Sequence, residues 1–296
     1  LSAFPLTPVS ETDVDESAFS EIVARLDRAG VDSIGALGST GSYAYLTREQ
    51  RRRVAEVAVR AAGRTPVMVG IGALRTVDVL RHAEDAQAAG ASAVLLAPMS
   101  YQPLTGEEVF DLYADVTATL SVPLVVYDNP GTTHFTFSDE LHGRIAALPR
   151  VASIKIPATP ADPQRARERV EHLRSHIPSD VTIGVSGDPA AAGGLLAGCD
   201  AWYSVLGGLW PDVCLALTRA AQRDDPATAS SISDELAPLW KLFGEFGSLR
   251  VVSAIAEQMG LVGAANLPKP LQGLPDGARR RVEQVVERLA PVLARH

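Results

Sequence analysis

Lysine is nearly absent from this chain. Its 296 residues hold three, Lys155, Lys241 and Lys269, against 24 arginines. Cysteine is scarcer still: Cys199 and Cys214 sit singly in apolar stretches, which excludes a disulfide framework and a CxxC pair and points to a reducing cytoplasm. No apolar run approaches the ~20 residues that span a bilayer, so no membrane partner is expected. Positive charge is not in excess either. The formal net charge is -8 and the arginines are scattered, which argues against a nucleic-acid surface. Gly70-Ile-Gly72 lacks the third glycine of a dinucleotide-binding turn. Of the six histidines, only His172 and His176 have a metal-ligand spacing, and their Arg/Glu-rich segment reads as a solvated face, so no metal is expected.

What is present is alternation. Short apolar runs at Ala3–Val9, Val31–Leu37, Pro66–Ile71, Ser92–Ala97, Pro123–Tyr127, Val151–Ile156, Val181–Val185 and Ala201–Val205 are each followed by a helical pattern. Thr47 with Gln50 marks one helix start as a capping box, and Gly30 marks one helix end. Strands alternating with helices imply a parallel sheet, and eight such units imply a closed α/β (β/α)8 TIM barrel over residues 1–209. From Trp210 the pattern is helical throughout, over Pro211–Gln222, Pro226–Phe246, Leu249–Met259 and Gly277–Leu293. Residues 210–296 therefore form a C-terminal helical region packed on the barrel or mediating assembly.

In such a barrel the chemistry sits at the C-terminal ends of the strands. Lys155 lies at such an end, in Val151-Ala-Ser-Ile-Lys-Ile156. Strand alternation puts Val151, Ser153 and Lys155 on one face and Ala152, Ile154 and Ile156 on the other. Burial disfavours an ammonium ion, so an amine among apolar neighbours is poised for Schiff-base chemistry; a lysine paired with a carboxylate is the ordinary alternative. Tyr127 ends the fifth strand and shares a face with Val125, where a phenol can relay protons. Gly38-Ser39-Thr40-Gly41-Ser42 follows the second strand, and its amides and hydroxyls suit a small carboxylate. Together these groups compose one mechanism: the amine attacks the ketone of a 2-oxo acid, the cradle holds its carboxylate, and the phenol moves protons.

The series Gly-Ser-Thr-Gly, Tyr-Asp-Asn-Pro, Ile-Lys with its lysine 28 residues after that tyrosine, and Ser-Gly-Asp resembles the dihydrodipicolinate synthase / N-acetylneuraminate lyase family across nearly the whole barrel. The resemblance implies a homotetramer built from two dimers, class I chemistry on pyruvate or a related 2-oxo acid, and no metal or organic cofactor. It implies Lys155 as the Schiff-base lysine, Tyr127 as the proton-transfer tyrosine and Ser39 in the relay. It places Thr40 on the keto-acid carboxylate and the backbone carbonyl of Tyr203 near the substrate.

Three positions depart from the family pattern. Thr132 stands where the biosynthetic synthases carry an arginine for the second substrate's carboxylate, and a threonine lacks the guanidinium fork. Ser100, with Tyr101 beside it, stands where those synthases insert a tyrosine from a neighbouring subunit, and Ser42 replaces a common glutamate. The expected activity is therefore a lyase or aldolase that cleaves, forms a carbon–carbon bond in, or dehydrates pyruvate or a related 2-oxo acid, one derived from a sugar acid or an aromatic. The alternatives are condensation of pyruvate with aspartate semialdehyde, as in lysine biosynthesis, and an inactive paralogue that only binds a keto acid.

Overall fold

A computed structural model describes residues 1–10 and 12–296. The chain runs through β1 (Ser2–Ala3), α1 (Glu16–Ala29), β2 (Ser33–Ala36), α2 (Arg48–Ala61), β3 (Val67–Gly70), α3 (Thr76–Ala88), β4 (Ala93–Leu96), α4 (Gly106–Thr117), β5 (Leu124–Tyr127), α5 (Pro130–Thr133), α6 (Asp139–Ala146), β6 (Val151–Ile156), α7 (Pro163–Arg174), β7 (Thr182–Ser186), α8 (Ala191–Leu196) and β8 (Ala201–Ser204). The strands pair in parallel in sequence order and β8 pairs with β1, closing a (β/α)8 barrel. Five helices follow: α9 (Pro211–Gln222), α10 (Pro226–Glu235), α11 (Ala237–Phe246), α12 (Ser248–Gln258) and α13 (Asp276–Leu293). Among the described residues no helix is long and apolar enough to cross a membrane.

Alternation along the strands sorts the side chains into two cores. Leu124, Val126, Ile154 and Ile156 belong to the larger cluster between strands and helices. Val125 and Tyr127 point inward with Phe4, Met68, Leu95, Ala97 and Tyr203. Two strand glycines admit the interior rings. A Cβ on Gly35 would lie 2.4 Å from the Phe4 ring, and one on Gly184 would lie 2.2 Å from the Tyr203 ring. Phe4 and Tyr203 meet edge to face, with centroids 5.9 Å apart.

Local chemistry sets the helix ends. The Thr47 hydroxyl accepts from the Gln50 amide while the Gln50 side chain accepts from the Thr47 amide, the reciprocal box expected at α2. The same arrangement opens α4 with Thr105 and Glu108. Gly30 ends α1 in the left-handed conformation at φ 75°.

Three elements differ from the sequence expectation. The first strand is Ser2–Ala3, shorter than Ala3–Val9, because Pro5 and Pro8 have no N–H to donate; the last barrel bond here is Phe4 N–H to the Ser204 carbonyl, 2.8 Å. The helix expected over Pro226–Phe246 is two, α10 and α11, divided at Leu236. Pro238 cannot donate into a continuous helix, and its ring crowds the preceding turn. The short α5 was not anticipated; Pro130 opens it, and the Asn129 carbonyl accepts from the amides of Thr132 and Thr133 at 3.0 Å each.

Candidate active site

The mouth of the barrel opens into a cavity of about 710 Å³. Tyr127 and Lys155 are direct partners in the β5–β6 register, so both side chains leave their strands toward this space. Lys155 is 5% exposed. Its Nζ lies 4.2 Å from the centroid of the Tyr127 ring, 5.6 Å from Phe4 and 5.8 Å from Tyr203. Burial pushes the ammonium below its usual range, and the nearby Tyr127, Asp188 and Asp128 only partly oppose that.

The Tyr127 hydroxyl is held from two sides. The Asn129 side-chain amide donates to it at 2.8 Å, and the Ser39 hydroxyl lies 3.2 Å away. Since Asn129 donates, the phenol's own proton is free to point at Ser39 or into the cavity. Phenol, hydroxyl and amine thus share one wall, in an order that allows protons to pass between cavity and Ser39.

The turn after β2 supplies the opposite feature. Leu37 and Ser42 bracket it in the left-handed region, at φ 56° and 54°, where a residue with a Cβ is strained. Ser39, Thr40 and Ser42 line the cavity. The amides of Thr40 and Gly41 find no protein acceptor among the described residues. The two glycines are required by close packing: a Cβ on Gly38 would meet the Phe4 ring at 2.6 Å, and one on Gly41 would meet the Leu37 amide at 2.9 Å. Thr40 is buried, and the neighbouring Thr7 and Ser42 hydroxyls have no hydrogen-bond partner. The result is a strained turn offering unused donors, which suits an anion.

Tyr203, Thr132 and Tyr101 take three different positions. Tyr203 lines the cavity, but its hydroxyl is 2.8 Å from Ser153 Oγ, so the ring forms part of the floor and the phenol is occupied. Thr132 lines the rim and is exposed. Tyr101, in the loop after β4, is not among the residues that line the cavity of its own chain and is 90% exposed.

Several lining residues were not read from the sequence. Asn129 had a signal, since it stands in the Tyr-Asp-Asn-Pro turn directly behind the phenol. Asp188 is buried, and its carboxylate accepts from the Trp202 indole at 3.1 Å and from the Val205 and Leu206 amides at 3.1 and 2.7 Å, tying the loop after β8 to the turn after β7. Burial raises its pKa. Phe4 had no local signal, because its role depends on glycines in β2 and in the turn after it. Trp240, Phe243 and Leu249 line the cavity from α11 and α12, so the C-terminal region contributes to the site itself.

Known proteins share both the sequence and the shape. A 4-hydroxy-tetrahydrodipicolinate synthase of Methylococcus capsulatus is 31% identical over 286 residues, covering 96% of this chain and 95% of that protein. The crystal structure of a dihydrodipicolinate synthase from Agrobacterium tumefaciens matches with a TM-score of 0.94 at 48% identity, over 98% of this chain and 97% of that one. A dihydrodipicolinate synthase from Acinetobacter baumannii, solved in complex with pyruvate, shares the fold at a TM-score of 0.87 and 24% identity, over 97% of each chain. The sequence matches the family pattern over residues 1–289, and the chain belongs to the dihydrodipicolinate synthetase family.

Proposed function

We propose that this enzyme forms a Schiff base between Lys155 and pyruvate or a related 2-oxo acid, and uses it to break or make a carbon–carbon bond. The observation that carries this reading is the Lys155 amine: buried, lowered in pKa by that burial, and set beside a phenol that is itself held by Asn129 and Ser39.

The neutral amine attacks the ketone carbon. The carbinolamine then loses water as Tyr127 delivers a proton to the departing oxygen, and Ser39 restores that proton to the phenol. The Thr40 hydroxyl and the amides of Thr40 and Gly41 hold the carboxylate. In cleavage of a 4-hydroxy-2-oxo acid, the C4 hydroxyl gives up its proton and the C3–C4 electron pair moves toward the iminium nitrogen. An aldehyde leaves and an enamine remains on Lys155. Protonation at C3 and hydrolysis release pyruvate and return the amine. No electron is gained or lost overall, so the cycle needs no redox partner.

Residues 1–209 would carry this chemistry, with residues 210–296 closing one side of the mouth. Tyr101, exposed at the end of a barrel loop, would belong to a contact within a homotetramer. Condensation with aspartate semialdehyde, suggested by the names of the relatives, lacks a guanidinium at Thr132 to receive the second carboxylate.

Pyruvate release from a set of 4-hydroxy-2-oxo acids, beside the synthase reaction, tests the proposal. Turnover of at least one of the former and its loss in Lys155→Ala are expected. Undiminished turnover in Lys155→Ala would exclude the mechanism.

A further inference from the structure

The far wall of the cavity is built from α11. Trp240, Phe243 and Gly244 line it, at the i, i+3, i+4 spacing of a single helix face, and so does Gly247, which caps the helix. An apolar stripe that would ordinarily face a core is here turned toward the barrel mouth. Its two aromatic rings are fixed: their centroids are 5.6 Å apart, and the Trp240 indole N–H donates to the Ser233 carbonyl at 3.0 Å. With its polar handle tied back to α10, Trp240 presents only ring surface to a ligand. Leu249 and Leu271 continue the same wall.

The wall also has room. A Cβ built on Gly244 would have nothing within 4 Å. Charge is nearly missing: among the described residues that line the cavity, Lys155 is the only cation and Asp188 the only carboxylate. Once Lys155 is engaged as an imine and the cradle holds the first carboxylate, no cation among the described residues lining the cavity remains for a second one. An anionic group placed there would have to be desolvated without a partner.

We infer that the group beyond C4 of the substrate is uncharged and carries a flat apolar body, an aryl group above all, which lies against Trp240 and Phe243 in the space left by Gly244. The inference rests on the Schiff-base reading above and names its substrate class. The reaction is R–CH(OH)–CH2–CO–COO⁻ giving R–CHO and pyruvate, with R apolar; the C3–C4 bond breaks, the hydroxyl proton is taken up by the enzyme, and C3 receives a proton in return. Trp240 and Gly244 are then specificity-determining positions.

The test measures kcat/KM by coupled detection of pyruvate for three 4-hydroxy-2-oxo acids whose R is phenyl, a polyhydroxylated chain, or a carboxylate-bearing chain. The phenyl compound is expected to exceed each of the others at least tenfold. Trp240→Ala and Gly244→Leu are each expected to lower that value tenfold or more. Borohydride trapping of pyruvate on Lys155, carried out in parallel, reports that the barrel and its imine chemistry are intact in each protein. Intact trapping with a preference for the charged or polyhydroxylated substrate overturns this inference alone. So does a phenyl rate that neither variant changes. Absence of trapping in the unmodified enzyme overturns the Schiff-base reading, and this inference with it.

Discussion

A chain with three lysines places one of them, 5% exposed, inside a ring of aromatic side chains. Lysine suits this position where arginine does not: a guanidinium stays charged in any protein setting and cannot act as a nucleophile, whereas an ammonium deprotonates on burial. Because burial lowers the pKa of Lys155, the rate of imine formation should rise with pH and level off below the 10.5 of an ordinary lysine. A pH–rate profile of pyruvate trapping measures this, and an inflection at or above that value would remove the role given to burial. For Tyr127→Phe, kcat should fall by ~10²-fold or more with KM little changed, because the phenol moves protons rather than binds. Steady-state kinetics decide it, and unchanged kcat would assign the relay elsewhere.

Lys155 and Tyr127 were legible in the sequence for one reason. Strand alternation is a local rule, and it fixes which face each side chain takes. Phe4 was not legible, since its place depends on residues more than thirty positions away. Tyr101 shows the limit of pattern matching, because similarity to a family places a residue in a loop without saying which molecule its side chain meets.

At the scale of elements, β5 and β6 carry the site, and their outer surface is as constrained as the inner one. Asp128, the residue after Tyr127, is buried and faces His142 on α6, with Nε2 3.5 Å from Oδ2; His142 stacks on Phe137. Burial pushes Asp128 up to about 6 and His142 down to about 4. As pH falls below 6.5, the unfolded chain protonates His142 while the folded one does not, so folding loses stability. As pH falls through 6, the folded chain protonates Asp128 before the unfolded one does, so folding gains stability. The two effects offset each other between pH 6 and 4. Asp128→Asn removes the gain and keeps the loss. Its unfolding free energy should therefore drop between pH 6 and 4 by roughly 2 kcal/mol more than that of the parent. Denaturant titrations at both pH values test this, and parallel curves would contradict it.

Packing inside the barrel makes a second prediction. Gly184→Ala puts a methyl group 2.2 Å from the Tyr203 ring, and should cost about 1–3 kcal/mol as the ring and its bond to Ser153 shift. Chemical denaturation reads the change directly. Element boundaries followed the sequence where capping chemistry was explicit, as at Thr47 and Gly30. They failed at Pro238, where a continuous hydrophobic pattern hid the helix break between α10 and α11.

For the molecule as a whole, the barrel and the C-terminal helices divide the work. Eight strands hold the amine, the phenol and the strained turn in fixed register, and α11 shapes the space beyond them. The closed order of strands was legible because each strand–helix unit repeats the same local pattern. The contribution of α11 to the cavity was not, because a stripe of Trp and Phe in a helix reads in sequence as core. Tyr101, with Leu74 and Tyr45, leaves apolar surface exposed on one chain. Sedimentation at micromolar concentration is expected to show four chains per particle, and a monomer there would contradict the proposed assembly.

The central claim is that the Lys155 nitrogen bonds covalently to a 2-oxo acid. Borohydride reduction in the presence of pyruvate, followed by peptide mass mapping, tests it most directly. One reduced pyruvate on the peptide containing Lys155, and none on Lys241 or Lys269, is the result this account predicts. An unmodified Lys155 peptide under the same conditions would contradict it.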